Sequence, residues 1–249
     1  MAVKITYFGG MAFLLERSDG YRVLCDPRIS QSRITKHSPS EFYDVDLVLV
    51  THAAFDHFGD TIDLMKNGRA SLICGPEVKR MVLEALPYLE KTRVKSAGYG
   101  EKISFDGKTT VRCVTAFHPS NVVENGVHSV FQPFGFVIAL EEGVTFYHTG
   151  DTSIFSDMKL IRDLYHPNLM NVGIANFSPR YGIQMTPHEA ALATSWISPD
   201  VVFPSHYPDA DSPEIAEFVR QADVLAPQVK VHVPADQTVI YHPARIEIE

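Results

Sequence analysis

The stretch LVLVTHAAFDH, residues 47–57, decides how the chain is to be read. Its opening run Leu47 to Val50 is apolar without alternation, which is the signature of a strand covered on both faces. The run ends in a turn carrying His52, Asp56 and His57, three side chains able to ligate a metal. Three later segments repeat the arrangement: VRCVTAFHP (111–119), VTFYHTGDT (144–152) and VVFPSHY (201–207). Each is an apolar strand running out into a short turn, and together they add His118, Asp151 and His206. Imidazole and carboxylate suit a hydrolytic divalent metal, and ligands at strand ends are held rigidly enough to fix coordination geometry.

Outward from these segments, short β-branched and aromatic runs open the chain (Val3 to Phe8, Phe13 to Glu16, Tyr21 to Cys25), separated by Gly9-Gly10 and Asp19-Gly20. They read as an antiparallel meander. Further strands are expected over Ala70 to Cys74, near Ile103, Thr110 to Phe117, Gly135 to Leu140, Val144 to His148, Leu169 to Ala175, Val201 to Phe203, and near Val231, Thr238 and Ile246. Helices are expected over Thr61 to Asn67, Glu77 to Ala85, Ser156 to Leu164 and Pro213 to Ala222. Another has Thr186 as N-cap, Pro187 as first residue and a body from His188 to Trp196. Strands outnumber helices and fall into two groups that each end in helices, a pattern for two packed sheets flanked by helices. A doubly wound nucleotide-binding fold does not fit, because Gly9-Gly10 is followed by more strand and not by a phosphate-binding helix.

Composition sets the limits. The 249 residues, 45% hydrophobic and 21% charged, are those of an ordinary globular protein, expected to form one domain over residues 1–249. No apolar run reaches the roughly 20 residues of a membrane span, and MAVKITYFGG lacks the long apolar region of a secretory signal, so a cytoplasmic protein is expected. A net charge of −8 suggests neither a nucleic-acid nor an anionic-membrane surface. Cys25, Cys74 and Cys113, each inside an apolar run, read as buried free thiols.

The order of these motifs resembles the metallo-β-lactamase superfamily, whose first signature is H-x-H-x-D-H, followed by a lone His, a bridging Asp and a final His. The likeness is to its branch of small metal-dependent hydrolases, which includes L-ascorbate-6-phosphate lactonase and the N-acyl-phosphatidylethanolamine phospholipase D group. It runs from VKITYFGG through Asp26-Pro27, THAAFDHFGD, FHP, YHTGDTSIFSDM and IQMTPHEAALA to SHY. The resemblance implies an α+β fold, a four-layer αββα sandwich. It also implies one metal site drawn from His52, His118 and Asp151 and another from Asp56, His57, Asp151 and His206, with Asp151 bridging.

The chain departs from that pattern at position 54, where the second signature histidine is replaced by Ala54, and in the opening motif, which reads Gly9-Gly10-Met11. Three readings stand: a mononuclear enzyme using the intact second site, a two-metal centre completed by water or another histidine, and a non-catalytic descendant that keeps the fold for binding. His37, His128, His148 and His188 are the candidate replacements, each with an ordinary structural reading beside it. A bound metal, zinc first and manganese or iron by the same donor chemistry, would lower the pKa of a coordinated water and polarise the scissile group of an ester, lactone or phosphodiester. Asp56 and Asp151 are the expected catalytic carboxylates; Asp151 could instead cap the helix after Thr152. Arg180 and Arg28 are possible anion contacts or solvated arginines. A small-molecule substrate and a possible homo-oligomer complete the expectation.

Overall fold

The computed structural model describes residues 2–174, 184–207, 211–243 and 245–248. They fall into two compact units. The first comprises residues 1–101, 119–134 and 236–249, and the second residues 102–118 and 135–235.

The first unit is built on an eight-stranded sheet. Its strands are β1 (Val3–Gly9), β2 (Ala12–Glu16), β3 (Arg22–Cys25), β4 (Leu47–Leu49), β5 (Ser71–Cys74), β6 (Val94–Ser96), β16 (Thr238–His242) and β17 (Arg245–Ile248), ordered β17-β16-β1-β2-β3-β4-β5-β6. The expected meander is there: β1 to β2 to β3 pair antiparallel, then β3 to β6 run parallel. Parallel strands need crossovers, supplied by α1 (Phe55–Phe58) and α2 (Thr61–Asn67) between β4 and β5, and by α3 (Pro76–Ala85) between β5 and β6. Leu64 and Met65 of α2 and Val78 and Val82 of α3 bury against Leu24, Val48 and Leu72 of the sheet. That packing covers the second face of LVLV and explains its lack of alternation. A small two-stranded sheet of β9 (Ser120–Glu124) and β10 (Val127–Phe131) also belongs to this unit.

Only glycine fits at the end of α1. Gly59 has φ +41°, and a Cβ there would lie 2.4 Å from the Pro27 carbonyl oxygen and 2.7 Å from Arg28 Cα. The next residue secures the same loop, since Asp60 N–H donates to Pro27 O at 2.7 Å and Asp60 Oδ2 accepts from Ile29 N at 2.7 Å. Gly59→Ala is expected to cost about 2–4 kcal/mol, backbone strain plus overpacking, read as a lowered urea midpoint with an unchanged slope.

The second unit carries a seven-stranded sheet ordered β15-β14-β13-β12-β11-β8-β7. Its strands are β7 (Lys102–Ile103), β8 (Thr110–Thr115), β11 (Phe134–Glu141), β12 (Val144–His148), β13 (Leu169–Gly173), β14 (Val201–Ser205) and β15 (Lys230–Val231). The run β12 to β15 is parallel, linked by α4 (Met158–Tyr165), α5 (Pro187–Ile197) and α6 (Pro213–Leu225). Helix α5 starts as the sequence indicates, with Pro187 in its first turn and a Thr186/Glu189 capping box. Strand β14 runs through Pro204 to Ser205, two residues further than expected. Ser205 O accepts from Ile174 N on the β13 side, so Pro204 faces the other way, where β15 pairs only with Val201 and Val202. Its missing N–H therefore costs no ladder bond.

Candidate metal centre

Parallel strands deliver functional groups at their carboxyl ends, and three of the candidate ligand segments lie there: Thr51-His52 beyond β4, Asp151 beyond β12 and His206 beyond β14. His118 follows the antiparallel strand β8.

In the first unit the decisive partner is Asp26, which is fully buried. Its Oδ1 accepts from Thr51 N at 2.8 Å, and its Oδ2 lies 2.8 Å from His57 Nδ1. The Thr51 hydroxyl also donates to Asp26 and stands 3.1 Å from His52 Nδ1. Both imidazoles thus have Nδ1 committed to the protein, which turns Nε2 toward a ligand role; a carboxylate on the far nitrogen also raises ligand basicity. The two rings lie 4.1 Å apart, centroid to centroid. His57 Nε2 is 3.9 Å from Asp56 Oδ2. Asp56 sits in the first turn of α1 with its side chain 24% exposed, within reach of solvent.

The backbone just before Ala54 is held from below. Ala53 N donates to Ser120 Oγ at 3.1 Å, and Ser120 Oγ donates to Glu77 Oε1 at 2.8 Å. Burial pushes the Glu77 carboxyl above its usual range, offset in part by the Ser120 hydrogen bond. Ala54 itself is the N-cap of α1 and offers a methyl group where the signature has imidazole.

In the second unit two histidines converge on one carboxylate oxygen. Asp151 Oδ2 is 3.7 Å from His118 Nε2 and 3.4 Å from His206 Nε2, and it accepts a 2.8 Å hydrogen bond from Gln184 Nε2. Phe117 N donates to Thr152 Oγ1 at 2.9 Å and Ser153 N to Phe117 O at 3.1 Å, fastening the His118 segment to the Asp151 turn. His206 has φ +66° and Asp26 φ +42°, a left-handed backbone that costs a non-glycine residue roughly 1–2 kcal/mol and concentrates at functional sites.

These spacings test whether the residues suit a metal. Two ligands bonded at about 2.0–2.1 Å in tetrahedral geometry lie about 3.3–3.4 Å apart. Direct hydrogen bonds would put the same atoms near 2.9 Å. The His–Asp separations of 3.4, 3.7 and 3.9 Å match a shared ion better than a direct hydrogen bond. His52, Asp56, His57, His118, Asp151 and His206 are also the residues that qualify as possible metal-holding groups among those described.

Three of the four candidate replacements for the missing ligand have a ring nitrogen engaged elsewhere. His37 Nδ1 lies 2.8 Å from Glu41 Oε2, His188 Nδ1 3.2 Å from Gln221 Oε1, and buried His148 Nδ1 2.7 Å from Asn171 Nδ2; His128 is exposed on β10, opposite Val123. Asp151 caps no helix, since α4 begins at Met158 with Asp157 as its N-cap. Arg28 lies over the Phe55 ring at 5.5 Å, and Arg180 falls outside the described residues. All three cysteines are buried thiols outside any disulfide, and burial together with the Asp26 charge pushes the Cys25 thiol well up, against a nucleophilic role. Asp26, Thr51, Gln184, Ser120 and Glu77 support the ligands but do not stand out in the sequence as site residues. Of these only Asp26 carried a signal, an acid fixed by a proline at the end of a strand.

Among the described residues no helix is long and apolar enough to cross a membrane. Residues 21–207 match the family model described as a beta-lactamase superfamily domain. A UPF0173 metal-dependent hydrolase of Methanopyrus kandleri is 36% identical over 237 residues, covering 92% of this chain and 95% of its own. One from Rubrobacter xylanophilus is 31% identical over 236 residues, covering 92% and 93%. Among solved structures, Igni18, a metallo hydrolase from Ignicoccus hospitalis, superposes with a TM-score of 0.77 at 28% identity over 97% of this chain and 99% of its own. The fold is therefore the expected metallo-β-lactamase fold, and the chain belongs to the metallo-β-lactamase superfamily, among its small metal-dependent hydrolases.

Proposed function

We propose that the chain hydrolyses a small-molecule ester, lactone or phosphodiester at a mononuclear centre held chiefly by Asp56, His57, Asp151 and His206. The convergence of His206 and His118 on Asp151 Oδ2 at ligand-edge spacing carries this reading, and Ala54 favours one ion over two. His52 and His118 would be left with only Asp151 in common, a set short of one imidazole. When bound, the ion would supply Lewis acidity and a water of lowered pKa. The protein's own part is to orient and to move protons. Asp26 holds the His57 ring, Gln184 fixes the Asp151 carboxylate, and Asp56, open to solvent, would serve as a ligand or, instead, as the base that takes a proton from the attacking water. Zinc is the first choice of ion, and the mixed imidazole and carboxylate donors suit manganese and iron as well.

Elemental analysis of protein purified without chelator is expected to find about one equivalent of divalent metal per chain. Two equivalents would overturn the mononuclear assignment, and none would overturn the hydrolase reading. A metal-loaded chain inert toward a panel of esters, lactones and phosphodiesters would favour the other role open to a site missing an imidazole, binding without turnover.

A further inference from the structure

Strand β13 carries no ligand, yet its centre holds a polar side chain that an inner strand has no packing reason to keep. All five of its residues are buried, and Leu169, Met170 and Val172 are the apolar residues expected there. Asn171 is the exception, fully buried. A buried primary amide is costly unless its donors and acceptor are satisfied. Asn171 reaches both neighbouring strands: Nδ2 lies 2.7 Å from His148 Nδ1 on β12, and Oδ1 accepts from the Ser205 hydroxyl on β14. A primary amide can do both, donating through Nδ2 on one side and accepting through Oδ1 on the other. The backbone continues the link, since Asn171 O accepts from Thr149 N at 3.3 Å, and Thr149 Oγ1 accepts from Gly173 N at 3.4 Å.

What those contacts hold is specific. Three residues beyond His148, past Thr149-Gly150, stands Asp151, and Ser205 directly precedes His206. The turn at His206 is left-handed, a conformation that persists only where its surroundings enforce it. Ser205 supplies that enforcement through its hydroxyl to Asn171 and its carbonyl to Ile174 N.

We propose that Asn171 is a positioning residue for the metal centre: its side-chain amide clamps the ends of β12 and β14 and so holds Asp151 and His206 at ligand spacing. The inference rests on the metal reading of those two residues and adds to it an element that touches neither ion nor substrate.

The test separates positioning from stability. Asn171→Ala, Ser205→Ala and, as control, Thr194→Ala would be compared with the parent chain. Thr194 is equally buried in the same unit, and its hydroxyl donates within α5, to Ala190 O at 2.8 Å. Co²⁺ affinity of the metal-stripped proteins would be measured by chelator competition, with melting temperature and circular dichroism recorded alongside. Asn171→Ala and Ser205→Ala are expected to weaken Co²⁺ binding roughly 10- to 100-fold, the scale of outer-shell substitutions, while Thr194→Ala lowers the melting temperature and leaves affinity unchanged. Folded Asn171 and Ser205 variants that bind Co²⁺ as tightly as the parent would overturn the proposal, as would a Thr194 variant that loses affinity to the same degree. Should Asn171→Ala not fold, Ser205→Ala, which keeps the contact to His148, decides alone. A parent chain that binds no Co²⁺ would instead overturn the metal reading, and this inference with it.

Discussion

Asp151→Ala is expected to strip the chain of its metal, from about one equivalent to background, and with it any hydrolytic turnover. The reason is that two histidines meet on one oxygen. His118 Nε2 at 3.7 Å and His206 Nε2 at 3.4 Å both address Asp151 Oδ2, and Gln184 aims its amide at the same atom. Removing the carboxylate leaves imidazoles with no anion between them and the half-buried Gln184 amide without its acceptor. Activity should fall at least about 10³-fold, the upper scale for losing one preorganised group that stabilises charge, here joined to loss of the ion. Elemental analysis and a hydrolase assay on the same preparation check both halves; retained activity without metal would show that the chemistry lies elsewhere.

The second large effect is expected at Asp26, which touches neither substrate nor ion. Asp26→Asn keeps the size of the side chain but replaces one acceptor oxygen by a donor nitrogen, where Thr51 N, Thr51 Oγ1 and His57 Nδ1 all meet a carboxylate. Whichever way the amide lies, one buried donor loses its acceptor. The His57 ring then loses its counter-charge or its tautomer, and metal affinity should drop roughly 10- to 100-fold. Stability should fall by about 1–3 kcal/mol for the unsatisfied buried group, in chemical denaturation of the metal-free protein. A variant with unchanged metal affinity would remove Asp26 from the site.

What the sequence makes legible, and what it does not, follows from what each residue needs. Strands such as Val144–His148 and the helix Thr61–Asn67 are readable because burial on a sheet and one-sided burial on a helix each impose a period. The capped start of α5 is readable because Thr186, Pro187 and Glu189 each do a local job. The hairpin of β9 and β10 is not, because Val123, Val127 and Val130 are exposed, so hydrophobicity along the sequence does not track its faces. The ligands at strand ends are legible because a histidine after an apolar run has no packing reason to be there. Their supports are not: Asn171, Ser205, Gln184, Ser120 and Glu77 act through partners 23 to 67 residues away, and nothing local distinguishes them from ordinary polar positions.

The pairing of β1 with β16 also bears on how the chain can form while it is being made. Val3 stands opposite Tyr241 and Thr6 opposite Thr238, with the two threonine hydroxyls 2.9 Å apart across 232 residues of sequence. During synthesis β1 therefore keeps one edge bare until β16, 232 residues further along, has emerged. The parallel strands of the second unit lie within a continuous stretch, and all of them are synthesised in the interval. Closing so long a loop carries a large entropic cost before any contact repays it, so completion of the first sheet is the late step of folding. Until then β1 is an exposed template for the strands of other chains. The charged Lys4 on its outward face, opposite both Glu16 and Ile240, is the kind of residue that makes such mispairing unfavourable.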